Sequence, residues 1–237
     1  MYKNCYVTKG EEYNRYNIHL WDDNGYSVEE FQNYGYVECQ EAQSTHRGLG
    51  NEPLKKVTSW DRNTTGLHYA DHNRGNIHTK FLIDKYGING EVSKTHREVF
   101  FDIEIEMGGA LTPTYIQKAP KPITSIAWWD KQLDEWAIVI LDKTGEIKEG
   151  IQDGREIIPV RRETDLIEVF LSRMEAIQPD ILVGYNSDYF DIPYMYYRIK
   201  NRLGKRHANR LSPIGIVEER NPKYHPDQTI KIAGVAS

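Results

Sequence analysis

The chain has 237 residues, of which 39% are hydrophobic and 27% charged, and its formal net charge is −5. That supplies a core for one large domain or two small ones, and the acidic balance excludes a generic basic coat for nucleic acid while leaving room for a local basic groove. Cys5 and Cys39 lie far apart with no Cys-x-x-Cys pair, which argues against a disulfide framework or a cysteine zinc site and fits a reducing cytosol. The N-terminus lacks an apolar signal core and no run approaches the length of a membrane span, so the expectation is a cytoplasmic protein with no membrane partner. Sixteen tyrosines and five tryptophans serve chiefly as packing, although rings can also stack on unpaired bases.

Residues 1 to 40 read as short strands. Tyr2–Thr8, Arg15–Asp22 and Gln32–Cys39 are rich in tyrosine and β-branched residues, and Asp22-Asp-Asn-Gly25 makes a turn between them. Glu41–Trp60 is polar and broken by Gly48, Gly50 and Pro53. A mixed segment follows with His68, Asp71, His72 and His78, whose spacing is a loose match to a zinc site and a better match to surface histidines. Phe81–Tyr86 is a short apolar piece with helical character ending at Gly87. At the polar connector Ser93–Arg97 the tyrosine-rich meander gives way to longer regular elements. A domain boundary is placed there, dividing the chain into 1–97 and 98–237.

The stretch Val99–Glu106 reads as a strand. Phe101, Ile103 and Ile105 alternate with Asp102, Glu104 and Glu106, so one face is apolar and the other acidic. Carboxylates in a row repel one another and suit a hard divalent ion such as Mg²⁺ or Mn²⁺. A half-buried strand with a solvated acidic face has the same pattern, and the strand alone leaves both readings open. After a loop over Gly108–Pro122, Ile123–Trp129 and Trp136–Leu141 read as strands joined by the turn Asp130–Asp134, giving an antiparallel meander. Glu163–Ile177 is an amphipathic helix, with Leu166, Ile167, Phe170, Leu171, Met174 and Ile177 at helical spacing and Pro179 beyond its end. Ile181–Tyr185 has the pattern of a buried strand. A second helix runs over Asp191–Leu203, with Pro193 in its first turn and Gly204 closing it. This order suggests an α/β, mixed α+β, fold: a small β-rich N-terminal domain followed by a layered domain of the ribonuclease-H-like type.

The loop Gly184–Asp191 follows the buried strand directly. Ligands in open α/β sheets sit outside the carboxyl ends of strands, and Asp191 at a helix N-terminus faces that end. Locally, Asn186 and Asp188 also serve as turn caps and Asp191 as a complement to the helix dipole; the neighbouring acidic strand favours a site. Together, Phe101-Asp102-Ile103-Glu104 and Asn186-x-x-x-Phe190-Asp191 resemble the first and second exonuclease motifs of family B DNA polymerases, with closer similarity to the replicative polymerases of T-even-type bacteriophages. Ile123–Asp130, Pro179–Asn186, Asp191–Tyr194 and Arg198–Asn201 support the resemblance, which covers residue 80 to the end well and the first 80 loosely. It implies a polymerase N-terminal domain and then a 3′→5′ proofreading exonuclease that removes the 3′-terminal nucleotide of DNA in the cytoplasm, the host's for a phage chain. Asp102 would bridge two Mg²⁺ or Mn²⁺ ions, Glu104 would ligate one and help place the attacking water, and Asp191 would hold the second. Such ions sit about 3.5–4 Å apart. Asn186 and Phe190 would shape the pocket for the terminal nucleotide. The basic run Arg198, Lys200, Arg202, Lys205, Arg206 and Arg210 reads either as a solvated face or as a rail for the phosphates of single-stranded DNA.

The third exonuclease motif of the resembled family, a tyrosine followed four residues later by aspartate, is absent, since none of the sixteen tyrosines has aspartate at that offset. Asp-Thr-Asp and Ser-Leu-Tyr-Pro, the family's polymerase motifs, are absent too. Thr229–Val235 reads as a strand breaking off within the domain. The expectation is therefore the front portion of a polymerase with an incomplete exonuclease domain, weak or inactive alone. Its partners are a DNA 3′ end or primer-template and a C-terminal polymerase portion, in cis or as a separate chain. The alternative is a catalytically incomplete nucleic-acid-binding module that complements a second chain bearing the missing motifs.

Overall fold

The structure is a computed structural model that describes residues 2–48, 50–58, 76–87, 93–106, 108–225 and 228–237. His68, Asp71 and His72 lie outside the described residues. The chain divides into two compact units, Met1–Ser93 and Lys94–Ser237.

In the first unit, β1 (Tyr2–Lys9), β2 (Arg15–Asp22) and β3 (Gly25–Gln32) form an antiparallel sheet. The Asp22 carboxylate caps the β2–β3 turn by accepting the Asn24 N–H at 2.7 Å. Alternation buries Ile18, Leu20 and Phe31 on one face, where Phe81 of α1 (Ile77–Tyr86) packs among them. Gly87 caps α1 with φ 72°, a left-handed conformation that costs glycine nothing. A smaller sheet comprises β4 (Gly35–Glu38), β5 (His46–Arg47) and β6 (Pro53–Val57), with β6 in the centre. The expected strand Gln32–Cys39 is thus two pieces in two sheets, because Gln32 ends β3 and the chain turns before Gly35.

The second unit is built on a six-stranded mixed sheet. β7 (Glu98–Ile105), β8 (Ile123–Asp130) and β9 (Glu135–Leu141) form the antiparallel meander read from the sequence. Two short strands were not anticipated: β10 (Gly150–Gln152) and β11 (Arg155–Val160), the latter parallel to β9. On the other side, β12 (Ile181–Val183) lies parallel to β7, giving the order β10-β11-β9-β8-β7-β12. The expected loop Gly108–Pro122 contains a helix, α2 (Pro113–Lys118), with Pro113 in its first turn and the Thr112 hydroxyl accepting the Tyr115 N–H at its start. α3 (Glu163–Ile177) lays Leu166, Phe170, Leu171 and Met174 into the core, with the Phe170 ring 6.4 Å from Phe101 and 6.1 Å from Trp128. α4 (Asp191–Leu203) is buried from Asp191 to Ile199. A short helix, α5 (Lys205–Ala208), follows.

The tail differs from expectation. β14 (Ile230–Ile232) is paired antiparallel with β13 (Val217–Glu219), and Ala236 bridges in parallel to Ile181 at the outer edge of β12. β14 thus has a neighbour where the sequence suggested a strand breaking off, and the apolar side chains of Ile230, Ile232 and Val235 join the core. Among the described residues no helix is long and apolar enough to cross a membrane.

Candidate active site

The pleat of β7 sets the site. Val99, Phe101 and Ile103 are buried while Asp102 and Glu104 are exposed, so the two acids share the face away from the core. The neighbouring strand β12 stops at Val183, opposite Phe100. A Cβ added to Gly184 would stand 2.9 Å from the Phe101 carbonyl oxygen and 2.9 Å from the Ser187 Cβ, which explains glycine where the chain turns off the sheet. The turn continues through Asn186 at φ 54°, whose carbonyl accepts the N–H groups of Tyr189 and Phe190 at 2.9 and 3.1 Å. Asp191 then opens α4, and its Oδ1 accepts the Ile103 N–H at 3.2 Å. A carboxylate oxygen thereby occupies the edge of β7 beyond the last residue of β12, on the residue lying between Asp102 and Glu104.

Asp191 is 3% exposed. Burial pushes its carboxyl up to about 6 from 3.8, and the negative charges of Asp102 and Glu104 push in the same direction; the Ile103 N–H opposes them. Three acids separated by up to 89 positions, the difference between 102 and 191, thus interact electrostatically at one end of the sheet. The set is all oxygen, and its buried member resists ionisation, which fits a hard divalent cation. Among the described residues, however, no three His, Cys, Asp or Glu side chains are gathered tightly enough to hold an ion as they stand.

The remaining candidates separate into groups. Asn186 is exposed, and Phe190 is half-buried with its ring 5.5 Å from Tyr194. The Tyr194 hydroxyl donates to the Lys121 carbonyl at 2.8 Å and accepts the Lys121 N–H at 3.0 Å, which pins α4 to the segment entering β8. Arg198 does not fit the phosphate rail. It is 8% exposed, its Nε and Nη2 each donate to Glu163 at 2.7 Å, and its Nη1 donates to the Ala119 carbonyl at 2.8 Å. Glu163 also accepts the Ile123 N–H at 2.8 Å, so this guanidinium is a buried tie between α3, α4 and the start of β8. Lys200 pairs with Glu219 at 2.6 Å, and Arg210 binds both Glu168 and Glu175. Arg202, Lys205 and Arg206 are exposed. Trp128, Tyr194, Tyr196 and Tyr197 are core residues, and Trp129 stacks on Trp136 with centroids 5.1 Å apart, in keeping with packing rather than base stacking.

Two residues not singled out in the sequence stand beside the site: Tyr185 is 89% exposed and Tyr189 54% exposed. Both lie in the loop already marked by Asn186 and Asp191, and their signal was an aromatic ring in a turn where no core needs one.

A mixed sheet with an antiparallel meander, a parallel strand beside it and acids at that junction defines an α/β domain of the ribonuclease-H-like type. The family described as DNA polymerase family B, exonuclease domain, matches over residues 72–237, more than half of the sequence, and the chain belongs to that family. It is similar to the DNA-directed DNA polymerase of Escherichia phage RB69, 26% identical over 212 residues, covering 75% of this chain and 23% of that protein. The DNA-directed DNA polymerase of Enterobacteria phage T4 is 34% identical over 116 residues, covering 47% and 12% respectively. A 47-residue match to the DNA polymerase delta catalytic subunit of Dictyostelium discoideum is 38% identical, covering 20% of this chain and 4% of that subunit. The chain spans about a quarter or less of the length of these relatives.

Proposed function

We propose that residues 98–237 carry the first two motifs of a divalent-metal-dependent 3′→5′ proofreading exonuclease, and that 1–97 is the N-terminal domain of the same DNA polymerase. The observation that carries this reading is the Asp191 carboxylate, buried against the Ile103 N–H and repelled by Asp102 and Glu104. Asp102, Glu104 and Asp191 would hold the two ions. A bound pair would lower the pKa of the attacking water and stabilise charge on the leaving 3′-oxygen. The chain's own contribution is placement. β7 presents two carboxylates on one face, α4 delivers the third at a fixed register, and Asn186 and Phe190, with the exposed rings of Tyr185 and Tyr189, shape the approach for a terminal nucleotide. Arg202 and Lys205 supply positive charge for the phosphates of the strand, and the rest of a polymerase, in cis or as a separate chain, supplies primer-template.

A second reading is a nucleic-acid-binding module that acts only with another chain. It draws on the lack of a closed three-ligand cluster among the described residues. Hydrolysis of a 5′-labelled single-stranded oligonucleotide in Mg²⁺ or Mn²⁺ separates the two. The isolated chain should cleave weakly or not at all, and a second polypeptide carrying the tyrosine–aspartate motif should raise the rate, with Asp102→Ala abolishing it. No cleavage in any combination would remove the exonuclease reading, and full cleavage by the isolated chain would show the absent motif to be dispensable.

A further inference from the structure

The six-stranded sheet has a second concavity at its Arg97–Asp130 end, where β7 begins and β8 finishes. It lies between the last turns of α3 and the β10–β11 hairpin and has a volume of about 560 Å³, within the range of roughly 300–1,000 Å³ usual for ligand sites. Trp128 and Ile158 form its inner wall, and Leu133 and Ile151 stand at its mouth, Ile151 with 80% of its surface exposed. The charge around it is lopsided. Arg97 is bound to Asp130 through two nitrogens, at 3.1 and 2.5 Å, and Arg173 is bound to Glu156 at 2.7 Å. Glu135 and Glu149 are exposed on the same lining, and among the described residues neither forms an ion pair. The last turn of α3 carries no basic residue, so its carbonyl end adds negative potential to the cleft.

We propose that this cleft docks a short segment of a partner protein in which an aliphatic side chain is flanked by lysine or arginine. The aliphatic group would enter between Trp128 and Ile158 and cover Leu133 and Ile151, removing apolar surface from water. The flanking cations would meet Glu135 and Glu149, which form no ion pair among the described residues. Phosphates are repelled by the same carboxylates, so a nucleic acid is the wrong occupant. This assignment is independent of the metal-ion reading, because none of its residues belongs to that site.

The test uses the full 237-residue chain and three fluorescein-labelled peptides read by anisotropy. One has an Arg-Leu-Leu-Lys core, the second replaces both leucines by glycine, and the third replaces both basic residues by glutamate. The first should bind with a Kd on the order of micromolar, and the other two should bind at least about tenfold more weakly. Binding of the first should weaken by about tenfold in Glu135→Gln/Glu149→Gln, and by several-fold in Ile151→Ser, a change at an exposed hairpin position that leaves the core intact. Circular dichroism on each variant establishes that it is folded. Equal binding of the glycine peptide would reduce the cleft to a negative patch and overturn the proposal. So would unaltered binding by the variants, or no binding of the first peptide.

Discussion

Replacing Asp191 by asparagine should stabilise the metal-free protein at neutral pH. Asparagine is nearly isosteric and keeps an oxygen to accept the Ile103 N–H, 3.2 Å from Asp191 Oδ1, but removes the buried charge. The folded-state value of about 6 against 3.8 is a rise of about 2 units, worth about 3 kcal/mol at roughly 1.4 kcal/mol per unit. The native state holds this proton more tightly than the unfolded chain, so the contribution of Asp191 to stability falls as pH rises from about 4 to about 6 and is flat above that. Asp191→Asn has no such dependence. Its advantage over the wild type should grow from near zero at pH 4 to an upper limit of about 3 kcal/mol at pH 7.5 in EDTA. For a chain of this size that is a rise of roughly 6–12 °C in melting temperature. Saturating Mg²⁺ should shrink the gap by stabilising only the wild type. Urea melts followed by tryptophan fluorescence at several pH values, with and without Mg²⁺, provide the measurement. A variant less stable than the wild type in EDTA at pH 7.5, or a gap that does not change between pH 4.5 and 7.5, would refute the account.

Glu163→Gln should destabilise the protein by about 3–5 kcal/mol because it leaves the buried Arg198 charge unpaired, and a urea midpoint unchanged from the wild type would contradict the buried tie. Lys200→Ala removes only the half-exposed pair with Glu219 and should lower the unfolding free energy from the same melts by less than about 1 kcal/mol. Neutralising Arg202 or Lys205 should flatten the salt dependence of single-stranded DNA binding by about 0.7 per lost phosphate contact; an unaltered slope in titrations at several salt concentrations would make both residues plain surface. Gly184→Ala should cost about 1–3 kcal/mol by overpacking, since its new carbon meets the Phe101 carbonyl oxygen at 2.9 Å, and a thermal melt superimposing on the wild type would show that the turn can relax.

The helices α3 and α4 were legible because their apolar spacing runs for several turns and Pro179 and Gly204 lie just past their ends. The meander was legible because β7 alternates apolar with acidic residues and the turn Asp130–Asp134 separates the apolar runs of β8 and β9. What escaped notice was short or masked by its own chemistry. Pro113 reads as a breaker, yet it stands in the first turn of α2, where a missing N–H costs nothing. Pro159 likewise disguised β11. The acidic residues of β3 hid a strand whose outward face is solvated. Around the candidate site, Asp102, Glu104 and Asp191 could be found from residue type and position, whereas the inward turn of Arg198 could not be read from a run of basic residues, because its partner Glu163 lies 35 positions away. A signal was present all the same: Arg198 falls seven residues after Asp191, on the helix face that carries Tyr194 and Met195 inward.

The double attachment of Lys121 to the Tyr194 hydroxyl, with Ala119 held by Arg198 and the Ile123 N–H held by Glu163, divides the connection between β7 and β8 into two halves of unequal tolerance to added length. Near Ile123 the Ala119 and Lys121 carbonyls and the Lys121 and Ile123 N–H groups are held by side chains of α3 or α4, and an extra residue there would shift the start of β8 against both helices. Gly108–Thr112 carries no such ties among the described residues, and Leu111 is exposed. Natural variation in loop length, and any tag or reporter inserted by design, should therefore be accommodated on the side nearer the carboxylates. There it would change the surroundings of those carboxylates without loosening the helices that hold Asp191 in register.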